Sequence, residues 1–155
     1  MASTENEKPW HEAYPAPKEV NPKTITRAEL LYMMKEHGGS IPGRDFVLVD
    51  LRRMDHKGGT IRGSINLPAQ SLYPSIPALY EIFKAAGVRK VIWYCGSSSG
   101  RGPRAAGWFS DYIAERGDNS MQSLVLIGGI KGWAKDSAEF TEFIDGYDPA
   151  AWADQ

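Results

Sequence analysis

The sequence predicts an α/β domain built on a central, mostly parallel sheet with helices on both faces. Three apolar runs of strand length, "DFVLVDLR", "RKVIWYC" and "SLVLIGG", recur along the chain, and their valine and isoleucine content suits a pleated, buried surface. Each ends in, or is followed by, a segment rich in glycine or other turn-forming residues. Between the runs lie stretches with helix-end residues, and strands separated by helical crossovers pair parallel. At 155 residues and 42% hydrophobic content the chain has enough apolar surface for one core.

Taken from the N-terminus, "MASTENEKPWHEAYPAPKEVNP" carries Pro9, Pro15 and Pro17 before Pro22 and shows neither helical nor alternating period. Residues 1–22 are therefore expected to form an arm outside the sheet, with Trp10 and Tyr14 available to dock on the domain. In "TITRAELLYMMKEHGG", Thr26 can cap a helix with Glu29 three positions on, and Gly38 can end it. Leu30, Leu31, Met33 and Met34 would face the core. After the first strand, "RMDHKGGTIRGSINLP" reads as a loop punctuated by Gly58, Gly59, Gly63 and Pro68. A helix from about Ile76 to Ala86 leads through Gly87 to the second strand. "PRAAGWFSDYIAERG" has proline where a helix starts and glycine where it stops. The third strand and a last helix near "SAEFTEFID" complete a domain over residues 23–145, with 146–155 as a tail.

Global properties exclude several classes of function. A net charge of -1 offers no general attraction to nucleic acid or an anionic membrane. No stretch approaches the roughly 18 uninterrupted apolar residues of a spanning helix, so no membrane partner is expected. One cysteine forbids an internal disulfide, and the first thirty residues lack the apolar core of a secretory signal. The expectation is a soluble protein of a reducing compartment, the cytoplasm with the nucleus as a second location.

That one cysteine, Cys95, closes the apolar run "VIWYC" and opens "CGSSSGRGP". A cysteine used for packing should lie inside an apolar pattern; this one stands where ligands of parallel sheets bind, beyond the carboxyl end of a strand. Gly96, Ser97, Ser98, Ser99, Gly100 and Gly102 have little bulk, so the loop can turn successive backbone N–H groups inward as a nest for a tetrahedral oxyanion. A helix opening at Pro103 would add free N–H donors and partial positive charge. Arg101, separated from the cysteine by five residues, can grip two anion oxygens with its planar fork. The same field favours the thiolate of Cys95, a nucleophile at neutral pH. Thiolate, anion cradle and arginine together suit attack on phosphorus or arsenic.

"LVDLR", "GGTIRGSINLP", the cysteine loop and "GGIKGW" together resemble the signature segments of the rhodanese superfamily, over about Thr24 to Phe143. The resemblance implies a rhodanese-like catalytic domain. Ordinary rhodanese sulfurtransferases have a six-residue active-site loop. The loop here counts seven residues from Cys95 to Arg101 inclusive, which resembles the branch holding the cell-division-cycle dual-specificity phosphatases and the fungal and plant arsenate reductases. "GSSSGRGP" is most similar to the small fungal members. The pattern departs from the family in two places. Tyr94 stands where those phosphatases often have histidine, and Gly102 follows the arginine where tyrosine phosphatases have serine or threonine. Ser97, Ser98 and Ser99 are all candidates to offer the sulfur a hydroxyl instead.

No residue carries the general-acid role by motif. Asp50 could face the same rim as Cys95, although holding the "GGTIRGS" turn is the simpler role and the one the resemblance implies. Asp55 and His56 read as solvated loop residues. Arg52, Arg53, Arg62 and Arg104 could make a positive rim, Arg104 with the best placement because it follows the loop directly. Trp93, Trp108 and Trp133 fall in apolar patterns and read as core. His11 and His37 have no partner at ligand spacing, and no metal is assigned.

The substrate class is therefore an oxyanion of phosphate or arsenate type. A cysteine phosphatase acting on aryl or phosphotyrosine-like monoesters needs no cofactor. An arsenate reductase needs outside electrons because no second cysteine is present, and the resemblance implies glutathione with glutaredoxin as partner. A third expectation is a non-catalytic rhodanese module that binds a protein, which has no need of Cys95 or Arg101.

Overall fold

The computed structural model describes residues 9–35, 45–53 and 56–153. The expected helix stop at Gly38, together with His37 and Asp55, lies outside them. A five-stranded sheet runs β1-β6-β5-β2-β4, parallel at every neighbour pair. Its centre is made by the three apolar runs: β2 (Phe46–Asp50), β5 (Lys90–Tyr94) and β6 (Gln122–Leu126). The edges are the short strands β1 (Lys23–Ile25) and β4 (Ile65–Asn66). A separate antiparallel pair joins β3 (Thr60–Ile61) to β7 (Ile144–Asp145).

Alternation along the central strands sorts the core into two layers. Val47, Val49, Val91, Trp93 and Val125 face one side and pack with residues of α3 (Ile76–Ala85) and α4 (Arg101–Glu115). Phe46, Leu48, Ile92, Tyr94, Leu124 and Leu126 face the other, against α1 (Arg27–Met34) and α5 (Gly129–Ala134). Both faces are covered, as an all-parallel sheet requires. The three tryptophans read as core are buried, and each indole N–H finds a polar partner at short range. Trp93 Nε1 donates to Ser123 Oγ at 3.0 Å, and that hydroxyl donates to the Ala106 carbonyl at 2.8 Å, tying β5, β6 and α4 together.

Helix starts obey local chemistry. Thr26 Oγ1 accepts from the Glu29 backbone N–H and the Glu29 carboxylate accepts from Thr26 N–H, a complete capping box for α1. Leu30, Leu31 and Met34 are buried, while Met33 packs partly buried at the margin. The helix expected to open at Pro103 begins two residues earlier, at Arg101, with Arg104 N–H reaching the Gly100 carbonyl at 3.2 Å. Proline is tolerated there because N–H groups of the first turn have no intrahelical acceptor.

The stretch read as a loop from Arg53 to Pro68 contains β3 and β4, followed by α2 (Ala69–Leu72) and a 3-10 turn over Tyr73–Ser75. Two-residue strands carry too little periodicity to be seen. The last predicted helix is one turn, α6 (Ala138–Thr141), before β7. The N-terminal arm folds along α4: Trp10 and Tyr14 meet Trp108 edge-on at 6.3 and 6.0 Å between ring centres, and Trp108 Nε1 donates to the Pro15 carbonyl at 2.8 Å. At the other terminus Trp152 is buried and its indole donates to the Gly58 carbonyl at 3.1 Å. Among the described residues no helix is long and apolar enough to cross a membrane.

Candidate active site

Cys95 lies at the carboxyl end of β5, buried, on the face that packs against α4. The chain then turns through Gly96–Gly100 and enters α4 at Arg101, which is half-buried. Strand, small-residue loop and a 15-residue helix therefore follow one another as the cysteine motif predicts, with the helix N-terminus directly under the loop. Ser98 makes the bend. Its φ is +60°, a left-handed conformation unusual outside glycine, and its buried hydroxyl accepts from the Cys95 backbone N–H at 3.4 Å. Ser97 and Ser99 point the other way, exposed and bonded to each other at 2.7 Å. Of the three serines, Ser98 is thus the one turned toward the cysteine. Gly102 leaves room for it, since a Cβ there would stand 3.3 Å from the Ser98 hydroxyl.

The far wall comes from "GGIKGW". Ile130 N–H donates to the Cys95 carbonyl at 3.1 Å and Lys131 N–H to the Gly96 carbonyl at 2.9 Å, so the start of α5 is sewn to the base of the cysteine loop. Gly129 makes this approach possible: its φ is +56°, and a Cβ would overlap the Cys95 carbonyl oxygen. Gly129→Ala is therefore expected to push the loop and α5 apart and to lower turnover about 100-fold, the scale of a misplacement near 1 Å. Steady-state kinetics on a variant shown to be folded by circular dichroism checks this. The glycine pattern is that of a tight strand-to-helix turn, able to line the rim or to serve packing alone; its close contact with Cys95 is a tertiary fact.

Asp50 does not reach the rim. It is fully buried and paired with Arg52, which is 1% exposed and donates through Nε (3.0 Å) and Nη2 (2.7 Å) to the carboxylate. Arg52 in turn donates to the carbonyls of Lys57 and Gly59 at 3.0 and 2.7 Å, so this arginine belongs to the interior and holds the glycine turn. Both residues fail as rim candidates because the turn that follows β2 folds back over them. His56, half-exposed, brings Nε2 to 3.4 Å from the same carboxylate. Arg62 pairs with Asp145 at 3.0 Å on the β3–β7 ribbon, and Arg104 lies over the Trp10 ring at 5.7 Å. Arg53 is exposed. Of the four arginines suggested for a positive rim, Arg52 is thus taken into the interior.

Tyr94 occupies the position before the cysteine and points to the opposite face of the sheet. Its hydroxyl meets Thr60 Oγ1 at 2.8 Å and Ser64 Oγ at 2.7 Å and accepts from Ile61 N–H at 3.2 Å. Because Thr60 donates to Asp50, the protons can run one way, from Ser64 to Tyr94 to Thr60 to the carboxylate. Burial first, then the negative charge of Asp50, holds the phenol far above its ordinary value, so it stays protonated. Tyr94 thus braces the strand that presents Cys95 without touching the reacting centre.

A cysteine at the end of a central parallel strand, under a seven-residue loop closed by arginine at a helix start, is the arrangement the sequence resemblance implies. Residues 27–136 match the rhodanese-like domain. The chain belongs to the rhodanese-like domain family. Arsenical-resistance protein 2 of Saccharomyces cerevisiae is 33% identical over 97 residues, which span 58% of this chain and 75% of that protein. The crystal structure of S. cerevisiae Ygr203w, described as a homolog of single-domain rhodanese and the Cdc25 phosphatase catalytic domain, superposes with a TM-score of 0.63 at 27% identity, covering 84% of this chain and 91% of that one. The As-Sb reductase of Leishmania major shares the fold, with a TM-score of 0.62 at 24% identity over 70% of this chain and 74% of its own.

Proposed function

We propose that this rhodanese-like protein is a cysteine-dependent phosphatase acting on aryl or phosphotyrosine-like monoesters. The observation that carries the reading is the succession of Cys95, small-residue loop and Arg101 at the carboxyl end of β5 and the start of α4. In the first step the Cys95 thiolate attacks phosphorus, the bond to the leaving oxygen breaks, and that oxygen takes its proton from solvent. Arg101 and the loop N–H groups hold the three remaining oxygens as charge develops on them. Water then attacks the cysteinyl-phosphate, the S–P bond breaks, and phosphate and the thiolate are released. No electrons are exchanged, so no cofactor enters.

Commitment of Asp50 to Arg52 leaves the sequence's candidate acid unavailable to the leaving group. The rate of the first step should then depend on how well that oxygen leaves unaided. Across a series of substituted phenyl phosphates, kcat/KM is expected to fall steeply as the phenol becomes more basic, with p-nitrophenyl phosphate among the best substrates and alkyl phosphates near background. A flat dependence would mean that a proton donor acts there and would overturn this assignment. Purified protein under reducing conditions suffices for the test.

A second reading, arsenate reduction, is supported by the similarity to Arsenical-resistance protein 2. Here the thiolate attacks arsenate, an As–O bond breaks with loss of water, and a thiol such as glutathione attacks the adduct. That attack falls on the Cys95 sulfur: the S–As bond breaks with its electron pair passing to arsenic, and arsenite leaves. Cys95 is left in a mixed disulfide, which a second thiol reduces to free the Cys95 thiolate and a disulfide of the two donors. Glutaredoxin would regenerate the donor, because this chain has no second cysteine. Arsenite formed only when glutathione is present, from protein that does not hydrolyse p-nitrophenyl phosphate, would put this reading first.

A further inference from the structure

Arg101 closes one end of the cysteine loop, and a second cation stands at the other. Lys131 is held there by its own backbone, since its N–H donates to the Gly96 carbonyl at 2.9 Å. Its side chain runs back along the loop: the ε-carbon lies 3.6 Å from where a Cβ on Gly96 would be. That distance is an ordinary van der Waals contact, so the lysine stem lies against the start of the loop. The residue is exposed.

Neighbouring cations are engaged elsewhere. Arg27, which also lies against α5, pairs with Asp136 at 2.6 Å; Arg62 pairs with Asp145; Arg104 lies on Trp10. Among the described residues no carboxylate pairs with the Lys131 ammonium. A positive charge kept beside a loop already closed by arginine gains nothing for folding, because like charges so placed repel. It gains when an anion arrives.

We propose that Lys131 is a substrate-positioning residue that receives a second anionic group, a carboxylate standing beside the phosphate being transferred. The inference rests on the phosphatase reading and names its substrate class: phosphomonoesters with an acidic neighbour, a phosphotyrosyl peptide with glutamate next to the phosphotyrosine being the simplest. Arg101 and Lys131 grip such a substrate from opposite ends of the loop. The charge pair forms at an exposed rim, so its contribution is modest and salt-sensitive.

The test uses two phosphotyrosyl peptides that differ only in glutamate or glutamine beside the phosphotyrosine. Wild-type protein is expected to favour the glutamate peptide about three- to fivefold, the range of an exposed ion pair, through KM with kcat little changed. Lys131→Gln should erase the preference, Lys131→Arg should keep it, Lys131→Glu should invert it, and added salt should weaken it. Calorimetric binding of both peptides to the Cys95→Ser protein reads the same preference without turnover. Equal handling of the two peptides by wild type, or a preference that survives Lys131→Gln, overturns the role of Lys131 while hydrolysis of p-nitrophenyl phosphate leaves the phosphatase reading standing. Failure to hydrolyse p-nitrophenyl phosphate and to bind either peptide overturns both.

Discussion

Replacing Cys95 with serine is expected to abolish hydrolysis of p-nitrophenyl phosphate while leaving the fold and anion binding in place. Serine keeps the shape of a small side chain buried at the end of β5. It loses the polarizable, strongly nucleophilic sulfur. Arg101→Lys and Arg101→Ala test the other half of the site. On the proposed role of Arg101 in gripping the equatorial oxygens, removal of its guanidinium should lower kcat/KM on the order of 10³-fold. Lysine should restore only part of the loss, because a point charge cannot match two oxygens at once. Competitive inhibition by inorganic phosphate separates the two variants: Cys95→Ser should bind the anion like wild type, whereas Arg101→Ala should bind it much more weakly. An Arg101→Ala protein with unchanged phosphate affinity would remove the oxyanion site from this loop altogether.

The outline of that site was legible in the sequence because each part has its own local signature. Cys95 ends an apolar strand, the loop lacks bulk, and proline marks a helix start. Hydropathy, turn chemistry and propensity therefore pointed the same way. The strand order, by contrast, depends on the three-residue β1 and the two-residue β4, which are defined by partners on β6 and β2 rather than by any period of their own. The same limit explains the arginines. Charge alone placed Arg52 at the surface, yet a backbone turn 57–60 wraps it, and its two carbonyl acceptors come from residues that read as a glycine-punctuated loop. Lys131 was overlooked within "GGIKGW" because nothing local shows that α5 meets Gly96. Long-range hydrogen bonds decide that, and a single sequence does not display them.

Arg52→Ala is expected to be among the most destabilising single substitutions in the protein, at about 3–5 kcal/mol. The side chain does two things that no neighbour can take over. It neutralises a carboxylate with no access to water, through contacts of 3.0 and 2.7 Å. It also supplies the donors for the Lys57 and Gly59 carbonyls, which fix the turn over which Trp152 closes. Alanine would leave Asp50 with the Thr60 hydroxyl at 2.9 Å and the longer contacts of the Tyr94 hydroxyl and His56 Nε2, both at 3.4 Å, and a buried charge stripped of its bidentate partner is far more costly than the pair is stabilising. For a domain of this size the loss corresponds to a fall in melting temperature of roughly 10 °C or more, readable by calorimetry or by urea unfolding at constant m. Asp50→Leu combined with Arg52→Met removes both charges together, so the double variant should recover much of what Arg52→Ala loses, a non-additivity that identifies the pair as the cause. The damage should stay in stability. Tyr94 carries the network to the face of the sheet opposite Cys95, so below its melting transition the Arg52→Ala protein should keep kcat within about tenfold of wild type, against the 10³-fold expected for Arg101. A collapse of kcat in folded Arg52→Ala protein would show instead that the Asp50–Arg52 pair sets the position of the nucleophile, and the division between scaffold and catalytic loop drawn along β5 would have to move.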